Sequence, residues 1–359
     1  MFWEKLLLFV LILFTSCRKN NRYPYAIRDF RPALQTHFTR IISKGIVMYH
    51  EKSVSEMATD EELIRLGKIE HPILRTLAFR EMLDRKTFDH FDVIMEHLDD
   101  TAIVAIARGE WGIQLTKVSD DILYNARWKT IEAKNKTKDE VITKHKYLRS
   151  AYYVISRMEP DEKYYPHIKD MFNRIKNYSE EFSDMRFEDK QYAAIALAKF
   201  KKPGDIKLIK EFLLTNRWRI DETSFTLMGN YPDTSYMEVF ENNYPRNFYR
   251  SICDDKNVNK ATDFIKSIAV YKNDRSARIL DPILNKKPFV NCPADSNSLK
   301  YDLIYAIWNN PCSAYAKLRD QVRARVKAYE EDYKKNSIEL PYEPGLLMAD
   351  SSEEKIRWW

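Results

Sequence analysis

Apolar positions along this chain recur with the spacing of helix faces, interrupted again and again by short polar stretches. The first apolar block is different: residues 6–14 read Leu-Leu-Leu-Phe-Val-Leu-Ile-Leu-Phe without a polar break. As a helix that run measures about 14 Å, half of the roughly 30 Å hydrocarbon core of a bilayer. It is too short to span and has the length of a signal-peptide apolar region, predicting a cleaved leader over 1–16. Residues 17–31 are basic, contain proline and lack a pattern, and read as a tether. From Pro32 onward Leu34, Phe38, Ile41, Ile42 and Gly45 share one face, which predicts an N-terminal helical cap over 32–56. Thr59-Asp60-Glu61-Glu62 has the form of a capping box and predicts a helix start.

Six later segments share one layout: an amphipathic helix, a short polar break, and a second amphipathic helix. The breaks fall near Arg85-Lys86, at Glu159-Pro160-Asp161, at Lys202-Pro203-Gly204-Asp205, around Gly229 to Asp233, at Lys272-Asn273-Asp274 and at Asn309-Asn310-Pro311. Segment starts near 77, 151, 193, 224, 267 and 304 lie about 31–43 residues apart, with one gap of about twice that. The gap, 99–146, has room for a further degenerate unit around Ile103, Ile106 and Trp111. These segments predict an all-α repeat domain over 57–330, with an irregular helical bundle as the alternative. The tail, 331–359, is expected to be extended, with Trp358-Trp359 docked back as a cap.

Composition sharpens this reading in one respect. Only 7 of 359 residues are glycine, so backbone suited to tight hairpins or phosphate-cradling loops is scarce. The net charge of +6 comes from 59 basic and 53 acidic residues that are well mixed, unlike the clustered basic face of a nucleic-acid binder.

Two resemblances carry functional expectations. Phe14-Thr15-Ser16-Cys17, closing the apolar run, resembles the lipobox of bacterial lipoproteins, with Phe14 where that family prefers leucine. The resemblance implies that Cys17 is the first mature residue, carrying diacylglycerol on its sulfur and a further acyl chain on its amine. Two or more chains hold a protein stably on a membrane, whereas one binds marginally. Arg18 follows in place of the aspartate that retains lipoproteins at the inner membrane, which points to the outer membrane of a Gram-negative bacterium. The second resemblance is to HEAT-repeat α-solenoids, over about 57–327. His71-Pro72-Ile73-Leu74-Arg75-Thr76-Leu77-Ala78 is close to that family's helix entry, and Leu148-Arg149-Ser150-Ala151 echoes it.

Candidate chemistry is sparse. No glycine-rich phosphate loop, nucleophile elbow or His-Glu-x-x-His occurs, so no catalytic residue, metal or cofactor is implied. His90 and His97 share a helix face but lie seven apart, wider than a helical metal pair, and are expected to be solvated. Asp99-Asp100, Asp120-Asp121, Glu180-Glu181 and Asp254-Asp255 read as carboxylates at helix ends rather than a glycosidase couple. A Cys292–Cys312 bridge would contribute about 3 kcal/mol in the chain-entropy model but leaves Cys253 unpaired, so the pairing stays open. The lysines from Lys129 to Lys146 read as a solvated loop and helix. Tyr152, Tyr153, Tyr164, Tyr165 and Trp218 are the candidate partner surface, since Tyr and Trp are enriched at binding hot spots.

The expected function follows from address and architecture. The chain reads as a lipid-anchored envelope scaffold without catalysis of its own, binding an envelope or secreted protein, or a glycan, and no nucleic acid. The alternatives are a helical enzyme acting on cell-wall or surface glycan, and an immunity-type protein that binds a secreted toxin.

Overall fold

The computed structural model describes residues 23–47, 52–107, 112–175, 183–216, 220–244, 258–285 and 296–336. Within them the chain is all-α apart from one two-stranded hairpin. It divides into two compact units that part between Val154 and Ile155. The repeat domain expected over 57–330 therefore covers portions of both.

In the first unit, α1 (Pro32–Lys44) opens on a proline at its first position and ends on Gly45 at φ +69°, a left-handed cap that glycine adopts without strain. Its Leu34, Phe38 and Ile41 are buried. α2 (Lys52–Met57) leads to α3 (Asp60–Leu66), which starts on the expected capping box. Thr59 Oγ1 accepts the Glu62 amide at 3.2 Å, and Glu62 Oε2 accepts the Thr59 amide at 2.9 Å. α4 (Pro72–Asp84) is the hub of the unit and packs against α1, α2 and α3. It also meets the two helices on either side of the hairpin, α5 (His90–His97) and α6 (Val118–Asn125). Ile73, Leu74, Leu77, Ala78, Phe79, Met82 and Leu83 bury α4 on nearly every side, so it stands among its neighbours as a core helix does. α7 (Ile131–Thr143) starts with Thr130 Oγ1 accepting the Ala133 amide, and α8 (Arg149–Arg157) follows.

The stretch around Ile103 and Ile106 is not a further helical unit. Ile103–Ala107 (β1) and Ile113–Lys117 (β2) pair antiparallel, and Val47 adds a parallel bridge to Ile106 on the far side of β1. Ile103-Val104-Ala105-Ile106-Ala107 satisfies both the period of a helix and that of a strand. β-Branched residues and two nearby glycines, of which Gly112 adopts φ +82°, settle it as a strand.

The second unit is built of successive helices. Helix pairs run α10 (Ser183–Lys199) with α11 (Pro203–Thr215), and α12 (Glu222–Asn230) with α13 (Met237–Asn243). They continue as α14 (Val258–Ala269) with α15 (Asp274–Asn285), and α16 (Ser296–Asn309) with α17 (Ala316–Asn336). α9 (Tyr165–Arg174) precedes them and packs on α10. Alternate helices are neighbours: α10 meets α12, α12 meets α14 and α14 meets α16, while α11 meets α13 and α13 meets α15. The pairs therefore lie in two rows, and in the second row the Ser313–Tyr315 turn that opens α17 meets α15.

α9 and each second-row helix enter with the same register. Tyr164, Asp205, Tyr236, Ser276 and Tyr315 are all buried at the third position after the residue that opens the turn. The amides of Tyr164, Asp205, Tyr236 and Tyr315 reach back to the carbonyls of Asp161, Lys202, Asp233 and Cys312 at 2.9–3.2 Å; that of Ser276 meets Asn273 Oδ1 at 2.9 Å. One helical turn later Ile168, Ile209, Phe240, Leu280 and Leu318 are buried in their place. Polar bonds tie neighbouring pairs across 33 to 46 residues of sequence. Gln191 Nε2 donates to Ser224 Oγ at 2.7 Å, Tyr271 Oη to the Met228 carbonyl at 3.0 Å, and Tyr315 Oη to the Ala269 carbonyl at 3.1 Å.

Candidate functional site

Of the described acidic pairs, Asp100, Asp120 and Asp121 are structural. Asp100 receives the fork of Arg75 at 2.7 and 3.0 Å, and Asp121 that of Arg80 at 2.7 Å twice, with all four residues buried. Asp120 accepts the Arg149 and Ser150 amides and the Ser150 hydroxyl, so it caps the N-terminus of α8 from 30 residues away. Asp99 stands at the surface 3.4 Å from the Tyr147 hydroxyl. Glu180-Glu181 and Asp254-Asp255 lie outside the described residues.

The histidines are not solvated as expected. His90 is buried; its Nδ1 accepts the Arg127 amide at 3.0 Å, and burial holds its pKa below the usual value, which keeps the ring neutral. The His97 ring lies 4.2 Å from that of Phe79. Among the described residues no group of three His, Cys, Asp or Glu side chains could hold a metal ion.

The tyrosines chosen as a partner surface separate. Tyr152 and Tyr164 are buried, 6% and 2% exposed, so their rings fill the core and cannot meet a partner. Tyr153 and Tyr165 are half-buried. Tyr165 Oη donates to buried Asp205 at 3.1 Å, where the Lys169 ammonium also arrives at 3.1 Å. Trp218, Cys17 and Cys292 lie outside the described residues; Cys312 is half-buried.

Sequence reasoning passed over one titratable cluster. Along the first row of the second unit, α14 carries Lys260, Asp263 and Lys266 between Glu222 of α12 and Asp302 of α16. Asp302 accepts Thr262 Oγ1 at 2.8 Å and pairs with Lys266 at 3.1 Å. Burial, then the charge of Glu222, push the Asp263 carboxyl up to about 6; Lys266 opposes the rise and Asp302 adds to it. Its protonated form favours the fold at low pH, and that contribution is lost as pH rises through about 6. Asp263→Asn is therefore expected to stabilise the chain by about 1 kcal/mol at pH 7.5, since water screens part of the repulsion that the carboxylate meets. At pH 4 the variant should unfold at the same urea concentration as the parent. An equal gain at both pH values would mean that ionisation is not the cause.

The other feature missed is the hairpin surface. Ile103, Ile113 and Leu115 are 66%, 61% and 60% exposed, and the strand register sets all three on one face with Ala105 and Ala107. The opposite face carries Val104 and Ile106 into the core. Alternating apolar residues on both sides of Gly109 and Gly112 are the sequence signal that could have found it. Beside this face Lys117 Nζ donates to the Tyr147 carbonyl at 2.9 Å and lies 5.1 Å from the centre of its ring.

Compared with known proteins, the chain matches no family model, no curated protein and no solved structure. Among the described residues no helix is long and apolar enough to cross a membrane.

Proposed function

We propose that this protein is a lipoprotein of the cell envelope, held by acyl chains on Cys17. Its helical body then serves as a non-catalytic binding scaffold at the outer membrane of a Gram-negative bacterium. The observation that carries the reading is the nine-residue apolar run ending in Phe14-Thr15-Ser16-Cys17: too short to cross a bilayer, it leaves membrane attachment to lipid. The body is read as a degenerate HEAT-like solenoid. The two rows of alternating helices and the shared entry register from Tyr164 to Tyr315 support this, because stacked pairs bury faces that one pair cannot. Such stacks offer broad surfaces, suited to an envelope or secreted protein or a glycan.

Membrane fractionation tests the location. The chain expressed in a Gram-negative host should sediment with the outer-membrane fraction, resist an alkaline wash and come free in detergent. Recovery in the soluble fraction would reject the anchor. A second reading is a helical enzyme acting on wall glycan, with the Asp263 carboxyl, raised by burial and by the charge of Glu222, as its acid. It requires glycan cleavage that disappears in Asp263→Asn while the fold is kept.

A further inference from the structure

We propose that β2 is a self-pairing edge, through which two copies of the chain join their hairpins into one antiparallel sheet centred on Leu115. The backbone phase is fixed on its inner side. The Val47 amide donates to the Ala105 carbonyl at 2.8 Å, and the Ala107 amide to the Val47 carbonyl at 3.0 Å. Odd-numbered residues of β1 thus turn their peptide groups toward Val47, and even-numbered residues turn theirs toward β2. The Val118 amide donating to the Ala102 carbonyl at 2.9 Å continues the same phase. In β2, Gln114 and Thr116 therefore spend their peptide groups on β1, while Ile113 and Leu115 direct theirs outward together with the Lys117 amide.

Among the described residues no backbone hydrogen bond reaches the outward peptide groups of Ile113 and Leu115. Soluble proteins guard such edges with charge, proline, bulges or a covering element. Here the guard is one lysine at the far end, and its ammonium is drawn aside to the Tyr147 carbonyl. Ile113 and Leu115, both more than half exposed, leave the rest apolar.

The strand is complementary to itself. Turned antiparallel about Leu115, it sets Leu115 against Leu115, Ile113 against Lys117, and Gln114 against Thr116 of the second copy. The Leu115 amides and carbonyls bond in both directions, and each Lys117 amide finds the opposite Ile113 carbonyl. The Lys117 carbonyl turns into the N-cap of α6, so the opposite Ile113 amide ends the ladder facing water. No like charges oppose one another in this register. Moving the centre to Lys117 would set the two lysines face to face, so the charge that guards the edge also selects the pairing.

Sedimentation equilibrium of the full chain in a density-matched non-ionic detergent, at concentrations up to the order of 100 µM, tests the proposal. The parent should form dimers. Leu115→Lys, which opposes two cations at the centre, should weaken association at least about tenfold. Ile113→Glu, which brings a carboxylate to the other copy's Lys117, should keep association or tighten it, and high salt should remove any gain. Helix content by circular dichroism should match the parent in both variants, since each position is exposed. A parent that stays monomeric over the whole range overturns the proposal and leaves the edge to a strand from another protein. Equal weakening by both substitutions also overturns it, because that outcome means apolar contact without this register.

Discussion

Arg75→Met is expected to destabilise the first unit by about 3–5 kcal/mol, the typical cost of leaving one member of a buried ion pair without its partner. Arg75 is 1% exposed and Asp100 2%, so neither charge has water to fall back on. The guanidinium holds both Asp100 oxygens, at 2.7 and 3.0 Å, and its remaining arm donates to the carbonyls of Ile69 and Glu70 at 2.8 and 2.5 Å. One side chain thus joins α4, the turn that precedes it and the start of the hairpin segment. Its loss strands a carboxylate and two carbonyls together. The double variant Arg75→Met/Asp100→Leu should recover much of the loss, since apolar residues of similar volume replace both charges, though the two carbonyls remain unserved. Urea unfolding of the parent, the single and the double variant checks this. A single variant no worse than the double would show that the pair is not what holds these segments.

Gly229→Val carries the largest expected effect in the second unit. A Cβ at Gly229 in α12 would stand 2.7 Å from Ser267 Oγ and 3.0 Å from Ser267 Cα on α14. The hydroxyl could rotate away but the Cα could not, so the two helices would have to part. Overpacking of this kind costs about 1–3 kcal/mol, and valine adds its own poor fit to a helix. Gly204, near the start of α11, has nothing within 4 Å of a Cβ, and Gly204→Ala should leave stability unchanged or slightly raised. Thermal unfolding should separate the two by several degrees; matching midpoints would deny the close approach of α12 and α14. The contact tested is the step from one first-row helix to the next, on which the repeat reading rests.

Much of this architecture was legible because local chemistry and tertiary structure agree. Proline opens α1, α4 and α11 where a missing amide costs nothing, and Thr59 with Glu62 announces α3 before any packing is considered. The six breaks fall at junctions between helices that the structure contains, since a break needs only polar residues and caps. The hairpin escaped because five residues of Ile, Val and Ala fit a helix face as well as a strand, and too few turns of pattern are present to choose. The tyrosines misled for a related reason: Tyr164 and Tyr165 are adjacent in sequence, but the helix buries one ring and half-exposes the next. The Asp263 cluster and the Arg75–Asp100 pair draw residues from separate helices, and no periodicity reports which charges will meet. The shared register of Tyr164, Asp205, Tyr236, Ser276 and Tyr315 hides differently, because the position is constant while its side chain is not.

Attachment at Cys17 is the claim on which the proposed location and role depend, and metabolic labelling with palmitate tests it most directly. Cells producing the parent chain should yield a labelled band that survives denaturing gel electrophoresis. Cells producing Cys17→Ser should yield the same polypeptide without label, still carrying residues 1–16. Label of equal strength in both, or in neither, would contradict the account.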